Sequence, residues 1–256
     1  MHASLPDSEI HLWCAFYAQI DTELLDAYRP LLSDEESAQA ARFYFERDRH
    51  RYLATRALVR TVLSQYAPVA PEQWVFEKND YGRPSIGGPT VPDFNFNITH
   101  TRDLIVLALA RGEIGVDTEN ARLRNASIGI ADRYFAPAEV AELYALPQER
   151  QKQRFFEYWT LKESYIKARG MGLAIPLDAF AFLFPSENEI RIEIDPTQND
   201  RPQRWRFWQF SIAEDYLCAL CAERTTDVSP RLIAHKIVPL QSTEPMHVAA
   251  LRTSVA

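Results

Sequence analysis

The stretch FNFNITHTRDLIVLALARGEIGVDTE, Phe94–Glu119, decides how this chain is read as a fold. "FNFNIT" and "LIVLALA" have the apolar, β-branched texture of two strands joined by "HTRD", and "EIGVDTE" reads as a third. Upstream, "IHLWCAFYAQI" (Ile10–Ile20) opens with a strand, and a helical region follows from about Ser33 to Tyr66, with a break near Phe45–Arg47. "SDEE" (Ser33–Glu36) has the form of a capping box at its start. "WVFEK" is a short strand and "NDYGRPSIGG" a turn. Downstream the texture changes to helices over Ile128–Tyr134, Pro137–Leu146 and Arg150–Arg169, the last closed by Gly170, Gly172 and Pro176. Then "AFLF", "EIRIEI", "RWRFWQFSI" and "YLCALCA" alternate as antiparallel strands do. Strand, helices, strands thus occurs twice, with the junction near Gly112. We expect an α+β chain of two similar halves, 1–112 and 113–256, with a ligand crevice between them. The stretch after about Leu240 shows no pattern and is expected to be loosely ordered.

Bulk properties narrow the function. At 256 residues and a net charge of −7 the chain has room for a sizeable core and lacks the basic balance of a general nucleic-acid binder. No apolar run reaches membrane-spanning length, and the opening residues carry no basic-then-apolar signal. The expectation is a cytoplasmic protein with no membrane or nucleic-acid partner. Cys218 and Cys221 form a C-x-x-C, but within a strand positions i and i+3 face opposite ways. They are therefore read as core cysteines rather than a zinc site. No P-loop, G-x-G-x-x-G, H-E-x-x-H or G-x-S-x-G occurs, so the nucleotide, zinc-protease and hydrolase readings those motifs carry lose support.

Chemistry concentrates at a few places. On Ile114–Glu119, Ile114, Val116 and Thr118 share one face, while Asp117 and Glu119 share the other, about 6–7 Å apart. One face packs on a core, so the other displays two acids. That is either a solvated edge or a site for a hard cation such as Mg²⁺, which takes carboxylate oxygens and completes its shell with water and phosphate. In "WTLKESYIKARGMG" (Trp159–Gly172), Trp159, Glu163 and Lys167 fall at i, i+4 and i+8 on one helical stripe. A surface Glu–Lys pair is one account. The tryptophan argues for a partly covered stripe, on which Glu163 completes a metal shell or takes a proton and Lys167 neutralises phosphate oxygens. Asn95, Asn97 and Thr99 point outward from their strand, and His100 at its end is either structural or an anion ligand. "ARFYFERDRHRYLATRALVR" (Ala41–Arg60) reverses the sign of the chain locally with Arg42, Arg47, Arg49, Arg51, Arg56 and Arg60. Part of it is a solvated helix face, and several of its arginines suit phosphate.

Taken in order, "YGRP" (Tyr81–Pro84), "FNITH" (Phe96–His100), "GVDTE" (Gly115–Glu119) and "WTLKESYIKARGMGL" (Trp159–Leu173) resemble the 4′-phosphopantetheinyl transferases of the surfactin-synthetase-activating type. The likeness runs from about Leu31 to Phe182. It implies a pseudo-dimer of two α+β halves in one chain, acting as a monomer. It also implies a reaction in which coenzyme A gives its 4′-phosphopantetheine arm to a serine hydroxyl of an apo acyl or peptidyl carrier protein, leaving adenosine 3′,5′-bisphosphate. Such activation serves fatty-acid, polyketide and nonribosomal peptide synthesis. Carried over position by position, Asp117, Glu119 and Glu163 correspond to the Mg²⁺ site. Glu163 is also the general base, and Lys167 is the lysine on the pyrophosphate. Thr99 and His100 correspond to phosphate ligands, Arg83 and Pro84 lie near the adenine, and Arg56 is a further coenzyme contact. Arg83 stands where a lysine is more usual, Thr99 where a serine is, and Gln39 where relatives often carry a basic residue; Arg42 or Arg47 would compensate the last. The carrier-binding surface is expected within Ala121–Glu149, although Tyr134, Phe135, Leu143 and Tyr144 there also suit a core. The rival readings are another Mg²⁺-dependent phosphoryl or nucleotidyl transfer, and a silent binder of coenzyme A or a carrier.

Overall fold

The structure, a computed structural model, describes residues 2–89, 91–122 and 128–254. Strand β1 (Glu9–Ala15) leads into helices α1 (Thr22–Tyr28), α2 (Asp34–Ala41) and α3 (Glu46–Tyr66). Two hairpins follow: β2 (Val75–Lys78) with β3 (Pro84–Gly87), then β4 (Asn95–Thr101) with β5 (Leu104–Ala110). The order then repeats. Strand β6 (Ile114–Asn120) leads into α4 (Ala131–Tyr134), α5 (Pro137–Ala145) and α6 (Gln148–Arg169). Hairpins β7 (Phe180–Leu183) with β8 (Glu189–Ile194) and β9 (Trp205–Ile212) with β10 (Tyr216–Glu223) complete it. Pairing repeats too: β1 runs antiparallel to β5 as β6 does to β10. The α+β class and the two similar halves are therefore visible in the backbone.

Local chemistry explains the helix ends. Ser33 Oγ accepts from the Glu36 amide and Glu36 Oε2 accepts from the Ser33 amide, at 3.2 and 3.1 Å, closing the capping box of α2. Helix α6 stops at Gly170, whose left-handed backbone (φ 68°) lets its amide reach back to the carbonyls of Ile166 and Lys167.

Alternation along the strands sorts the core into layers. On β1 and β5, Trp13, Ile105, Leu107 and Leu109 face α3. Their neighbours Leu12, Cys14, Val106 and Ala108 face the second sheet, where they meet Val116, Trp208, Phe210, Cys218 and Leu220. The other side of that sheet, with Phe207, Ala219 and Cys221, packs on α6. The order through the molecule is helix, sheet, sheet, helix, and Cys218 and Cys221 sit in different layers, as their spacing requires. At about 1.5–3 kcal/mol for each large apolar side chain buried, the inter-sheet layer is a principal bond between the halves.

Two expectations about the chain's end are corrected. The residues after Leu240 are not loose: β12 (Ser242–Met246) and β13 (Ala250–Ser254) are strands. Nor does everything after Gly112 stay with the second half. Strand β11 (Arg231–Val238) runs parallel to β1, and β12 extends that first sheet to the order β12-β11-β1-β5-β4. Strand β13 then crosses to the second sheet, β6-β10-β9-β13-β8-β7, and sits inside it between β9 and β8. Neither strand has the apolar alternation that marks a strand in sequence. Strand β12 is an edge containing Pro245, a position where proline is tolerated.

Candidate active site

The open edges of the two sheets, β4 and β6, meet at a seam. No strand pairing joins them; side chains do. Asn97 Oδ1 accepts from the Val116 amide at 3.0 Å. Thr99 Oγ1 donates to Asp117 Oδ1 at 3.1 Å, and Thr101 Oγ1 to Glu119 Oε2 at 3.5 Å. The expected division of β6 into faces holds, with one refinement. Ile114 and Val116 enter the inter-sheet core, and the face bearing Gly115, Asp117 and Glu119 is covered rather than solvated, both acids being 6% exposed. Gly115 explains how close the cover comes. A Cβ there would lie 2.0 Å from the Ser164 carbonyl oxygen and 2.4 Å from the Ala168 nitrogen, so strand and helix touch backbone to backbone.

That contact brings Lys167, at the end of the helical stripe, against the strand. Trp159 is half-buried and stacks on Phe155 at 6.0 Å, and Glu163 is half-buried one turn before Lys167. Lys167 Nζ donates to Asp117 Oδ1 at 2.6 Å, to Thr99 Oγ1 at 3.2 Å and to the Val116 carbonyl at 3.2 Å. Asp117 Oδ2 is buried and accepts no hydrogen bond. Among the described residues no three or more carboxylate, histidine or cysteine groups are gathered as a metal cluster. Oxygen donors of the right hardness are nevertheless present on β6 and α6, and the unused Asp117 oxygen is a ready acceptor for a hard cation.

The seam opens into a cavity of about 430 Å³ lined by Thr99, His100, Asp117 and Lys167 on one side and by Arg51, Tyr52 and Arg56 of α3 on the other. Two cavities of comparable volume, about 390 Å³ beside β12 and about 440 Å³ over β8 and β9, are each confined to one sheet and its neighbours. The seam cavity alone of these three joins charged groups of both halves. Arg56 lies 3.5 Å from Glu36 and stacks over the Tyr52 ring at 5.2 Å. The His100 side chain keeps solvent-exposed surface, but the crowding of its ring holds its pKa below the ordinary 6.5, with the Arg51 charge adding to the effect. A neutral imidazole beside two arginines and a lysine is a place where an arriving anion would raise that pKa.

Other expected residues lie elsewhere. Arg83 and Pro84 line a separate, smaller cavity of about 190 Å³ with Phe94 and Phe96. Arg60, counted in the basic run, is buried and structural: it pairs with Glu36 at 2.8 Å and donates to the carbonyls of Pro71 and Trp74. Of the residues offered for a carrier surface, Tyr134 and Tyr144 are exposed while Phe135 and Leu143 are core; residues 123–127 of that segment lie outside the described residues. Arg51, expected only as one of several arginines in the basic run, shares one helical face of α3 with Asp48, Tyr52 and Thr55, and that face walls the cavity. Lys162 was passed over. It turns into the opposite layer, where it pairs with Glu139 at 2.7 Å with both groups fully buried.

Residues 113–221 match the 4′-phosphopantetheinyl transferase superfamily, and residues 19–111 match the 4′-phosphopantetheinyl transferase N-terminal family. A Bacillus subtilis 4′-phosphopantetheinyl transferase is 33% identical over 197 residues, covering 77% of this chain and 84% of that protein. The Nostoc sp. 4′-phosphopantetheinyl transferase HetI is 34% identical over 207 residues, 80% of this chain and 82% of its own. Sfp of Bacillus subtilis strain 168 is 31% identical over 197 residues, 77% of this chain and 84% of its own. The chain belongs to the 4′-phosphopantetheinyl transferase family.

Proposed function

We propose that this chain transfers the 4′-phosphopantetheine arm of coenzyme A to a serine hydroxyl of an apo acyl or peptidyl carrier protein, in the presence of Mg²⁺, and releases adenosine 3′,5′-bisphosphate. The observation that carries the reading is the seam. Lys167 and Asp117 of the second half meet Thr99 of the first, at the mouth of a cavity walled by Arg51, Arg56 and His100. A ligand with several phosphates and a long neutral arm suits such a site, because separated cationic groups bind each phosphate while the reacting centre stays at the carboxylates.

Roles follow from position. Thr99, His100 and Arg56 hold the coenzyme's phosphates, and Arg83 and Pro84 flank its adenine. Lys167 leaves Asp117 for the diphosphate oxygens and stabilises the charge that grows as the arm departs. Asp117, Glu119 and Glu163 would hold Mg²⁺, which when bound supplies charge neutralisation at the diphosphate. Glu163 takes the proton of the attacking serine, which is a poor nucleophile near neutral pH. The first half, 1–112, thus serves coenzyme phosphate and adenine contacts, while the second carries metal ligands and base. The carrier docks from outside the seam near Ala121–Glu149, with exposed Tyr134 and Tyr144 as contacts. No described helix is long and apolar enough to cross a membrane, and we place the enzyme in the cytoplasm as a monomer, since the interface between halves lies within one chain.

The test is direct. Purified protein with Mg²⁺ and coenzyme A is incubated with a panel of apo fatty-acid, polyketide and peptidyl carriers. Intact-protein mass spectrometry is expected to show a gain of about 340 Da, the mass of the transferred arm. No gain on any carrier would sink the reading.

A further inference from the structure

The turn between β2 and β3 reaches across the molecule to the end of α6. Asn79 Nδ2 donates to the Gly170 carbonyl at 2.7 Å. Arg83 Nη1 donates to the Ala168 carbonyl at 2.9 Å and to Glu113 Oε2 at 2.5 Å, and its Nη2 to the Ile114 carbonyl at 3.4 Å. The last carbonyls of a helix have no partner within it, and they form its negative end. Here a cation and an amide from the other half satisfy two carbonyls at that end. The same guanidinium also holds Ile114, the first residue of β6, so a single side chain bridges strand and helix. The fit is close: a Cβ on Gly170 would meet Arg83 Cδ at 2.9 Å and Asn79 Nδ2 at 3.4 Å. The turn is itself shaped by Asn79, whose Oδ1 accepts from the Tyr81 and Arg83 amides at 3.0 and 2.9 Å.

We propose that Asn79, acting with Arg83, is a positioning residue that clamps the end of α6 onto β6 from the opposite half and so fixes where Lys167 and Glu163 stand at the seam. The inference rests on the transferase reading above, in which those two side chains face the reacting diphosphate. Lys167 is three residues from the Gly170 carbonyl, and its Nζ bridges strands of both halves. A helix end free to shift would blur that placement without unfolding anything, because Asn79 keeps much of its surface in solvent.

One variant separates the clamp from the turn. Asn79→Asp keeps the oxygen that accepts from Tyr81 and Arg83 and sets, in place of the donor to Gly170, a charged oxygen that repels that carbonyl. Asn79→Ala loses both the oxygen and the donor. For both variants we expect kcat to fall about tenfold, since small misplacements of reacting groups cost that much or more. KM for coenzyme A should stay near the wild-type value in Asn79→Asp and rise in Asn79→Ala, which also loosens the turn carrying Arg83 and Pro84, and amide hydrogen exchange should speed up over residues 168–172 in both. An Asn79→Asp protein with wild-type kcat and wild-type exchange overturns the clamp, as does one whose only change is a raised KM. The wild-type assay keeps the two ideas apart. If the wild-type protein modifies no carrier, the transferase reading fails, whereas an active wild type beside an unaffected Asn79→Asp removes the clamp alone.

Discussion

Asp117 is the residue on which the site turns. One of its oxygens is taken by Lys167 and Thr99 and the other, buried, has no hydrogen-bond partner. A buried acceptor left unpaired carries a desolvation cost, and a ligand that supplies positive charge removes it. Asp117→Ala is therefore expected to cut Mg²⁺-dependent transfer by about a hundredfold or more, measured by holo-carrier formation; retained activity would take Asp117 out of the site. His100 gives a second, independent reading of the same cavity. Its folded-state pKa lies below the ordinary 6.5 because of desolvation and then Arg51. The unfolded chain thus binds more protons than the folded one as pH falls through that value, so stability drops there and His100 contributes nothing above it. An NMR titration should find its pKa below 6.5 in the free protein and higher with coenzyme A bound. A pKa unmoved by coenzyme A would place the phosphates elsewhere.

Strand β6 and helix α6 act as one unit, and Gly115 makes that possible. Gly115→Ala puts a methyl group within 2.0 Å of backbone oxygen that no rotamer change can move. Strand and helix must separate, at a cost of about 3 kcal/mol, or roughly 6–12 °C in Tm for a chain of this size. Activity should fall with it, since the helix would carry Lys167 away from the seam; an unchanged Tm would contradict the contact. On the far side of α6, Glu139 accepts from Lys162 at 2.7 Å and from the Ala136 and Phe182 amides at 2.9 and 2.8 Å. Glu139→Ala leaves a buried ammonium without its counter-charge and should cost about 3–5 kcal/mol in a denaturant titration. These elements also show what sequence can reveal. The i, i+4, i+8 stripe of α6, the alternation of β6 and the capping box of α2 were legible, because each is a local pattern imposed by one element's geometry. Lys162 was not, since a lysine on the apolar side of a helix is explained only by a distant glutamate. Arg51 was legible only as one arginine of a basic run, because its place opposite His100 across the cavity comes from the fold.

At the scale of the whole molecule, the chain's end decides how firmly the two halves are joined. Strands β11 and β12 belong to the first sheet and β13 to the second, so the last turn of backbone laces the layers together. Nothing local announces β13, "ALRTS"; its neighbours define it. Thr253 pairs with Trp208 on one side and Glu189 on the other, and Arg252 reaches Gln209 Oε1 at 2.7 Å and Glu157 at 3.3 Å. A chain ending at Val248 would strip β8 and β9 of their partner inside the sheet. At about 1 kcal/mol for each hydrogen bond lost, the expected loss is roughly 3–5 kcal/mol. It should appear as a lower urea midpoint, and a midpoint equal to that of the full chain would show that β13 is dispensable. The effect on catalysis should differ in kind. Glu157 lies ten residues before Lys167 on α6, about 15 Å along the axis, and the end of the helix that bears Lys167 is held by Asn79, Arg83 and Gly115 instead. The shortened chain should therefore still load a carrier protein at low temperature, and lose that activity on warming well before the full chain does, because the tail stabilises the scaffold while the seam is positioned from the other side.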